Sequence, residues 1–219
     1  MSETTHQYGY ADARVRSIST AQLLGQVMFL VAIAIGFCAL GTLLGRDLSL
    51  GTARICSFAG FGMLLASSFL GQRFRVGPFA MAWLFATALL IGLGLGPVIA
   101  YFASVDEAAL TQAAAGTAAT VLGAGSLGFA LSKDLARWMR PLALLVFAAC
   151  IFTIVLTLFG GTISPIISLV IYGLSAALIV VDFNYLRKHG TEADAIWLAT
   201  GIFVSIVNIF VSLLNLTGR

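Results

Sequence analysis

Seven apolar stretches, each long enough to cross a lipid bilayer, constrain the fold of this sequence more than any other feature. A helix needs about 20 mostly apolar residues to span the hydrocarbon core. The stretches are Ala21–Gly45, Gly51–Gly71, Pro78–Phe102, Gln112–Ser132, Pro141–Gly160, Ser164–Leu186 and Asp194–Leu216. Lipid offers the backbone no hydrogen-bond partner, so such stretches form helices. The sequence therefore predicts an all-α integral membrane protein, a seven-transmembrane-helix bundle, with a cytoplasmic polar tail at residues 1–20 and one transmembrane domain at 21–219.

The composition agrees with a membrane protein and argues against several other classes. Hydrophobic residues make up 60% of the 219 residues and charged residues 10%, whereas a soluble domain carries about 25% charged residues. The 12 lysines and arginines lie almost entirely between the apolar stretches, which favours contact with lipid headgroups over a nucleic-acid groove. The three cysteines stand singly in different stretches, so neither a metal site nor a disulfide framework is predicted.

The distribution of positive charge predicts the orientation in the membrane. Lysine and arginine concentrate in the short loops on the cytoplasmic side. With the N-terminus inside, only Arg46, Arg54 and Arg219 fall on the external side. The cytoplasmic set is larger and comprises Arg14, Arg16, Arg73, Arg75, Lys133, Arg137, Arg140, Arg187 and Lys188. We therefore expect a cytoplasmic N-terminus and, after seven crossings, an external C-terminus.

Two polar stripes on the last two helices are the candidate functional site. Asp182 is the only acidic residue well inside a predicted span, and such residues usually face the protein interior and serve a function. Along the sixth span Ser168, Tyr172, Ser175 and Asp182 share one face, and along the seventh Gly201, Ser205, Asn208, Ser212 and Asn215 share another. We expect the stripes to face each other or a common cavity, with Asp182 close to the cytoplasmic side. Small polar residues also pack membrane helices together, so a structural seam remains the alternative.

Familiar catalytic arrangements are missing from the sequence. His6 and His189 lie in the tail and in a loop, too far from a serine such as Ser126 to activate it. An aspartic protease would need a second acid within the spans, and the sequence has none there. A retinal protein would need a lysine in the seventh span, which is also lacking. The glycine runs GLGLGP and GAGSLG lack phosphate-binding spacing and indicate a kink or close helix packing. We expect no enzyme activity and no cofactor.

The C-terminal quarter of the chain carries a family resemblance. SPIISLVIYGLSAALIVVDFNYLRKHG and the following span with VSIVNIFVSLLNLTG resemble the C-terminal signature of the Bax inhibitor (TMBIM) family, and LGLGPVIAYF and GTAATVLGAGSLGFALSKDLARWMRP resemble its third and fourth spans. The resemblance implies a central helix surrounded by the others and a role in ion homeostasis or stress protection. In members described as pH-sensitive calcium leaks, an acid in span six pairs with an acid in span seven. Asp182 matches the first position, but Ser205 occupies the second.

The segment VSIVNIFVSLL also resembles the bacterial YccA-like branch, whose members are described as modulators of the membrane-anchored AAA protease FtsH. This resemblance implies a bacterial inner-membrane protein that engages the protease through its polar tail and bundle surface. The alternative is a pH-influenced cation or calcium leak that uses Asp182, with Ser205, Asn208, Ser212, Ser175 and Tyr172 as further pore or proton-site candidates.

Overall fold

Seven long helices account for nearly all of the structure. A computed structural model describes residues 19–69, 75–159 and 164–218, and all regular structure in these ranges is helical. The helices are α1 (Thr20–Gly45), α2 (Leu50–Phe69), α3 (Pro78–Val105), α4 (Glu107–Ala130), α5 (Ala136–Leu158), α6 (Pro165–Lys188) and α7 (Ala195–Thr217), with one 3-10 turn at Glu192–Asp194. All seven are long and apolar enough to span a membrane. The predicted fold class is confirmed, and the polar tail, residues 1–18, lies outside the described residues.

Two helices begin several residues before the apolar stretches that predicted them. Helix α4 begins at Glu107 instead of Gln112, because the Asp106 side chain caps it by accepting a hydrogen bond from the Ala109 amide at 2.9 Å. Helix α5 begins at Ala136 instead of Pro141. Pro141 is the sixth residue of the helix, so its ring removes one backbone hydrogen bond early in α5 without ending it.

Helix α7 occupies the centre of the bundle. It packs against α1, α3, α4 and α6, and a hydrogen bond from Cys150 to Asn208 links it to α5 as well. Five of its apolar residues are exposed by 1% or less: Leu198, Ala199, Ile202, Phe203 and Ile209. The side chains of α7 and α6 therefore form much of the interior surface on which a site can be built.

Helices α1 and α3 meet backbone to backbone through glycines. A Cβ built on Gly92 would overlap the carbonyl oxygen of Cys38, and one on Gly96 would overlap the backbone of Gly45. Helix α3 continues through Pro97. Of the two interpretations of the run GLGLGP, a kink or close helix packing, the structure shows close packing. In the run GAGSLG, Gly128 packs in the same way against the backbone of Val180 in α6.

Candidate functional site

The polar stripes of α6 and α7 meet at Asp182. A Cβ built on Gly201 would lie 3.4 Å from Oδ2 of Asp182, so the carboxyl group points at the glycine of the facing helix. Asp182 is only 5% exposed. A glycine at this position leaves room for the carboxyl group but offers it no side-chain hydrogen bond.

The antiparallel register extends this contact into three layers along the two helices. Seven residues correspond to two turns and about 10.5 Å on each helix. Because the two helices run in opposite directions, seven residues back from Asp182 on α6 and seven residues forward from Gly201 on α7 lead to the same depth in the bundle. Asp182 contacts Gly201, and the register is expected to place Ser175 at the level of Asn208 and Ser168 at the level of Asn215. We call these six residues, together with Ser205 and Ser212 on the same face of α7, the α6–α7 seam.

Several polar atoms of the seam are buried without a hydrogen bond. Within the described part of the chain these are Oδ2 of Asp182, Oγ of Ser168, Ser175 and Ser205, and Nδ2 of Asn208. Burying a polar atom without a hydrogen-bond partner costs stability, and natural proteins keep few such atoms. Their concentration along α6 and α7 makes this surface the candidate site.

Ser205 lies one turn further along α7 than Gly201, about 6 Å deeper in the bundle than the carboxyl group. The position that the family pattern assigns to a second acid therefore does not lie at the level of Asp182; Gly201 does. Ser205 is fully buried, and Ser212, two turns beyond it, is 3% exposed. Both predicted candidates thus lie on the interior face of α7.

The remaining predicted residues have defined partners. Oδ1 of Asn208 accepts a hydrogen bond from Sγ of Cys150 at 3.6 Å, which brings α5 to the middle layer of the seam. The hydroxyl group of Tyr172 lies 3.0 Å from Oγ1 of Thr120 and so joins α6 to α4. Tyr172 therefore lies against α4, although it shares a sequence stripe with Asp182.

The charge of Asp182 has no counterpart among the described residues. The ion pairs found there are Arg46 with Asp47 and His189 with Asp134, both at exposed positions. In the same ranges no group of three histidine, cysteine or acidic side chains could hold a metal ion. The seam therefore offers one carboxylate, four hydroxyl groups and two amides, a set that can exchange a proton or contact a weakly coordinated cation.

An aromatic pair lies between Asp182 and the end of the bundle where α6 joins α7. Tyr185 and Trp197 form an edge-to-face contact with ring centroids 5.7 Å apart. The guanidinium carbon of Arg75 lies 5.7 Å from the ring centre of Trp197, a favourable cation–π distance. Tyr185 follows Asp182 by three residues and Trp197 precedes Gly201 by four, so the pair is about one turn nearer that end. Sequence reasoning did not identify this aromatic cover.

Asn184 is a second residue that sequence reasoning missed. Its Nδ2 donates to the carbonyl oxygens of Gly128, Leu131 and Lys133 at 3.1–3.2 Å, and its Oδ1 accepts from the Leu135 amide at 2.9 Å. The side chain is fully buried. It thus satisfies the free carbonyls at the end of α4 and holds the α4–α5 connection against α6. An asparagine inside the sixth predicted span, two residues after Asp182, was the available signal.

The last turn of α6 also binds the α4–α5 connection. Nη2 of Arg187 donates to the Leu131 carbonyl at 2.8 Å, and Nζ of Lys188 donates to the Ser132 carbonyl. Nε2 of His189 lies 2.7 Å from Oδ2 of Asp134. The Ala136 amide and then His189 hydrogen-bond to Asp134 and hold the pKa of this carboxyl group below its ordinary value. Together with Asn184, these side chains form what we call the loop clamp.

A seven-helix bundle with an enclosed central helix and a buried acid defines a class of multi-pass membrane proteins. The family model described as Bax1-I, Inhibitor of apoptosis-promoting Bax1, matches residues 20–219. The chain therefore belongs to the Bax inhibitor family. No curated protein matches it closely enough to count as a relative.

Proposed function

We propose that the protein is a non-enzymatic, pH-influenced cation leak in which Asp182 exchanges a proton and the α6–α7 seam provides the path. The observation that carries this proposal is the unpartnered Oδ2 of Asp182, buried at one end of a line of unpartnered hydroxyl and amide atoms. A packing seam needs small residues but gains nothing from an ionisable group. The carboxyl group is therefore the feature that a purely structural account leaves unexplained.

The energetics favour exchange at this carboxyl group. An ionised carboxylate enclosed without a partner costs several kcal/mol, so binding a proton or a cation stabilises the enclosed state. Hydroxyl and amide groups at intervals of about 10.5 Å along the seam can contact water or a cation further into the bundle. Tyr185 and Trp197 lie about one turn nearer the α6–α7 end of the bundle than Asp182, and we infer that movement of these rings would admit water to the carboxyl group from that end.

Calcium is the less favoured ion. Ca²⁺ takes six to eight oxygen ligands, usually with several carboxylates, and the seam supplies one. We therefore expect protons and monovalent cations to pass more readily than calcium. Placing a carboxylate at Ser205, one turn from the level of Asp182, should raise calcium flux.

Flux through liposomes containing the purified protein tests the proposal. Asp182→Asn keeps the size of the side chain but removes the proton, so it should lower cation flux and abolish the difference between pH 6 and pH 8. Asp47→Asn is the matched control, because Asp47 is an exposed acid. Equal flux and equal pH dependence in the wild type and Asp182→Asn would show that Asp182 does not control a path. Ser205→Asp, assayed with calcium, tests the ion preference separately.

Modulation of a membrane-anchored AAA protease of the FtsH type, in a bacterial inner membrane, is the second candidate. The connections between the helices are short, with eight residues or fewer between consecutive helix ends. A partner outside the bilayer would therefore reach mainly the helix ends and the polar residues 1–18. The resemblance of VSIVNIFVSLL to the YccA-like branch supports the same candidate.

Deletion of residues 2–17 separates the two candidates. Loss of an effect on protease activity in co-reconstituted vesicles, with ion flux unchanged, would favour modulation. Loss of flux in Asp182→Asn, with the protease effect unchanged, would favour the leak. If both variants behave as the wild type in both assays, neither function is supported and the seam is structural.

A further inference from the structure

Three cationic side chains surround the beginning of α5. Lys133, Arg137 and Arg140 are all exposed, and none forms an ion pair with a residue in the described ranges. Lys133 and Arg137 line one shallow surface depression together with Asp134. We call Lys133, Arg137 and Arg140 the α5 cationic patch.

The neighbouring acid does not neutralise this patch. Oδ1 of Asp134 accepts the Ala136 amide at 2.9 Å, and Oδ2 lies 2.7 Å from Nε2 of His189. The two nearby cations of α6, Arg187 and Lys188, are bound to backbone carbonyls of the α4–α5 connection and add positive charge. The net charge around α5's first turns is therefore positive, and an anion placed there would be attracted.

An exposed apolar surface continues from the patch along α5. Residues seven apart lie on nearly the same face of a helix. Two such rows run from the patch into the span: Arg137, Leu144 and Ile151, and Trp138, Leu145 and Phe152. The apolar members are 41–65% exposed. Because α5 is long and apolar enough to span the membrane, these side chains contact lipid chains.

The aromatic residue at the junction marks the level of the membrane interface. Trp138 is half exposed, and the guanidinium carbon of Arg137 lies 5.7 Å from its ring centre. Tryptophan is enriched at the headgroup level of membrane proteins. Cationic groups at that level, above an apolar surface, complement an amphiphile with a negative headgroup and acyl chains.

We propose that the α5 cationic patch binds an anionic phospholipid. Lys133, Arg137 and Arg140 receive the headgroup phosphate, and the acyl chains lie along the two rows of α5. Each cation near an anionic surface contributes about fivefold to binding. Removing both arginines should therefore weaken binding at least tenfold.

Quenching of Trp138 by brominated lipids measures this binding directly. In the Trp83→Phe/Trp197→Phe protein, Trp138 is the single tryptophan. In mixed micelles we expect brominated phosphatidylglycerol to quench it at a mole fraction at least tenfold lower than brominated phosphatidylcholine. Arg137→Gln/Arg140→Gln should remove that preference. Arg46→Gln/Arg54→Gln is the matched control, since it also removes two exposed arginines, and it should retain the preference.

Native mass spectrometry of the protein with all its tryptophans gives a second measurement. The wild type should retain bound phosphatidylglycerol. Arg137→Gln/Arg140→Gln should lose it, and the control variant should keep it. Equal quenching by both lipids, or equal loss in both double variants, would overturn the proposal. Displacement of the lipid by millimolar inorganic phosphate would also overturn it, because the patch would then be a site for free anions.

Discussion

Two buried asparagines of the same bundle illustrate different uses of a polar residue inside a membrane protein. Asn184 makes four hydrogen bonds and leaves none of its polar atoms free. Asn208 makes one weak bond with Cys150, and its Nδ2 has no partner. Asn184 therefore holds the α4–α5 connection in place, whereas Asn208 leaves one polar group without a partner in the α6–α7 seam.

The first prediction compares these two residues. Asn184→Ala should lower the free energy of unfolding by about 3 kcal/mol, because it leaves buried backbone groups without partners. Asn208→Ala should cost about 1 kcal/mol or less, since only one weak bond is lost. Thermal unfolding of both variants in the same detergent measures the difference. Equal melting temperatures would contradict the assignment of Asn184 to the loop clamp.

The sequence predicted the seam residues better than the residues around them. Asp182, Ser175, Ser205, Asn208 and Ser212 could be found because helical spacing fixes which side chains share a face. Spacing alone could not show which neighbouring helix each one meets. Tyr172 shows this limit: its long side chain reaches Thr120 of α4. The role of Asn184 was hidden for the same reason, since its partners lie about 50 residues earlier in the chain.

At the scale of helices, the contact between α1 and α3 depends on missing side chains. Gly41 and Gly45 of α1 meet Gly92 and Gly96 of α3 so closely that a Cβ on any of them would contact the opposing backbone. In lipid, close backbone approach replaces the hydrophobic driving force that water would supply. The contact between α1 and α3 therefore tolerates few substitutions at these glycines.

The second prediction concerns this contact. Gly92→Ala should destabilise the protein by about 2–4 kcal/mol, because the added methyl group would overlap the Cys38 carbonyl and force the helices apart. Gly36→Ala is the matched control on α1. Nothing lies within 4 Å of its built Cβ, so it should be neutral or stabilising by up to about 1 kcal/mol. Similar losses in both variants, measured by thermal unfolding, would argue against close backbone packing.

The third prediction concerns the end of α6 and the pH dependence of the loop clamp. The pKa of Asp134 is lowered in the folded protein, first by the Ala136 amide and then by His189. A carboxyl group with a lowered pKa stabilises the fold above its ordinary value of about 3.9, and this contribution is lost as the pH falls through the lowered value.

The difference in melting temperature between the wild type and Asp134→Asn should therefore be fully present at pH 7 and shrink as the pH is lowered below about 4. Asp47→Asn, which changes an exposed acid at the other end of the bundle, serves as the control. A constant difference between the wild type and Asp134→Asn at all pH values would mean that the carboxylate charge does not stabilise the clamp.

At the scale of the whole molecule, the number of helices and the fold class followed from the lengths of the apolar stretches. The first residues of α4 and α5 could not be predicted in this way, because hydropathy shows which part of a helix contacts lipid and not where the helix begins. Asp106 and Ala136 extend these helices beyond their apolar parts. The family resemblance implied a central helix without saying which one, and seven similar apolar stretches do not reveal that it is α7.

The fourth prediction concerns orientation. Seven crossings put the two termini on opposite sides, and the positive loops favour a cytoplasmic N-terminus. Reporter fusions in a bacterial host measure both ends: a fluorescent protein that folds only in the cytoplasm should be active at the N-terminus, and alkaline phosphatase should be active at the C-terminus. Activity of the same reporter at both ends would contradict the odd number of crossings.

Asp182 and Asn184 lie two residues apart on α6, one facing α7 and the other bound to the α4–α5 connection. The backbone of a helix is stiff over this distance, so we expect a pull on residues 131–135 to be transmitted through Asn184 to the backbone that carries the buried acid. Force applied at the membrane surface would then reach the interior of the protein through a single turn of helix.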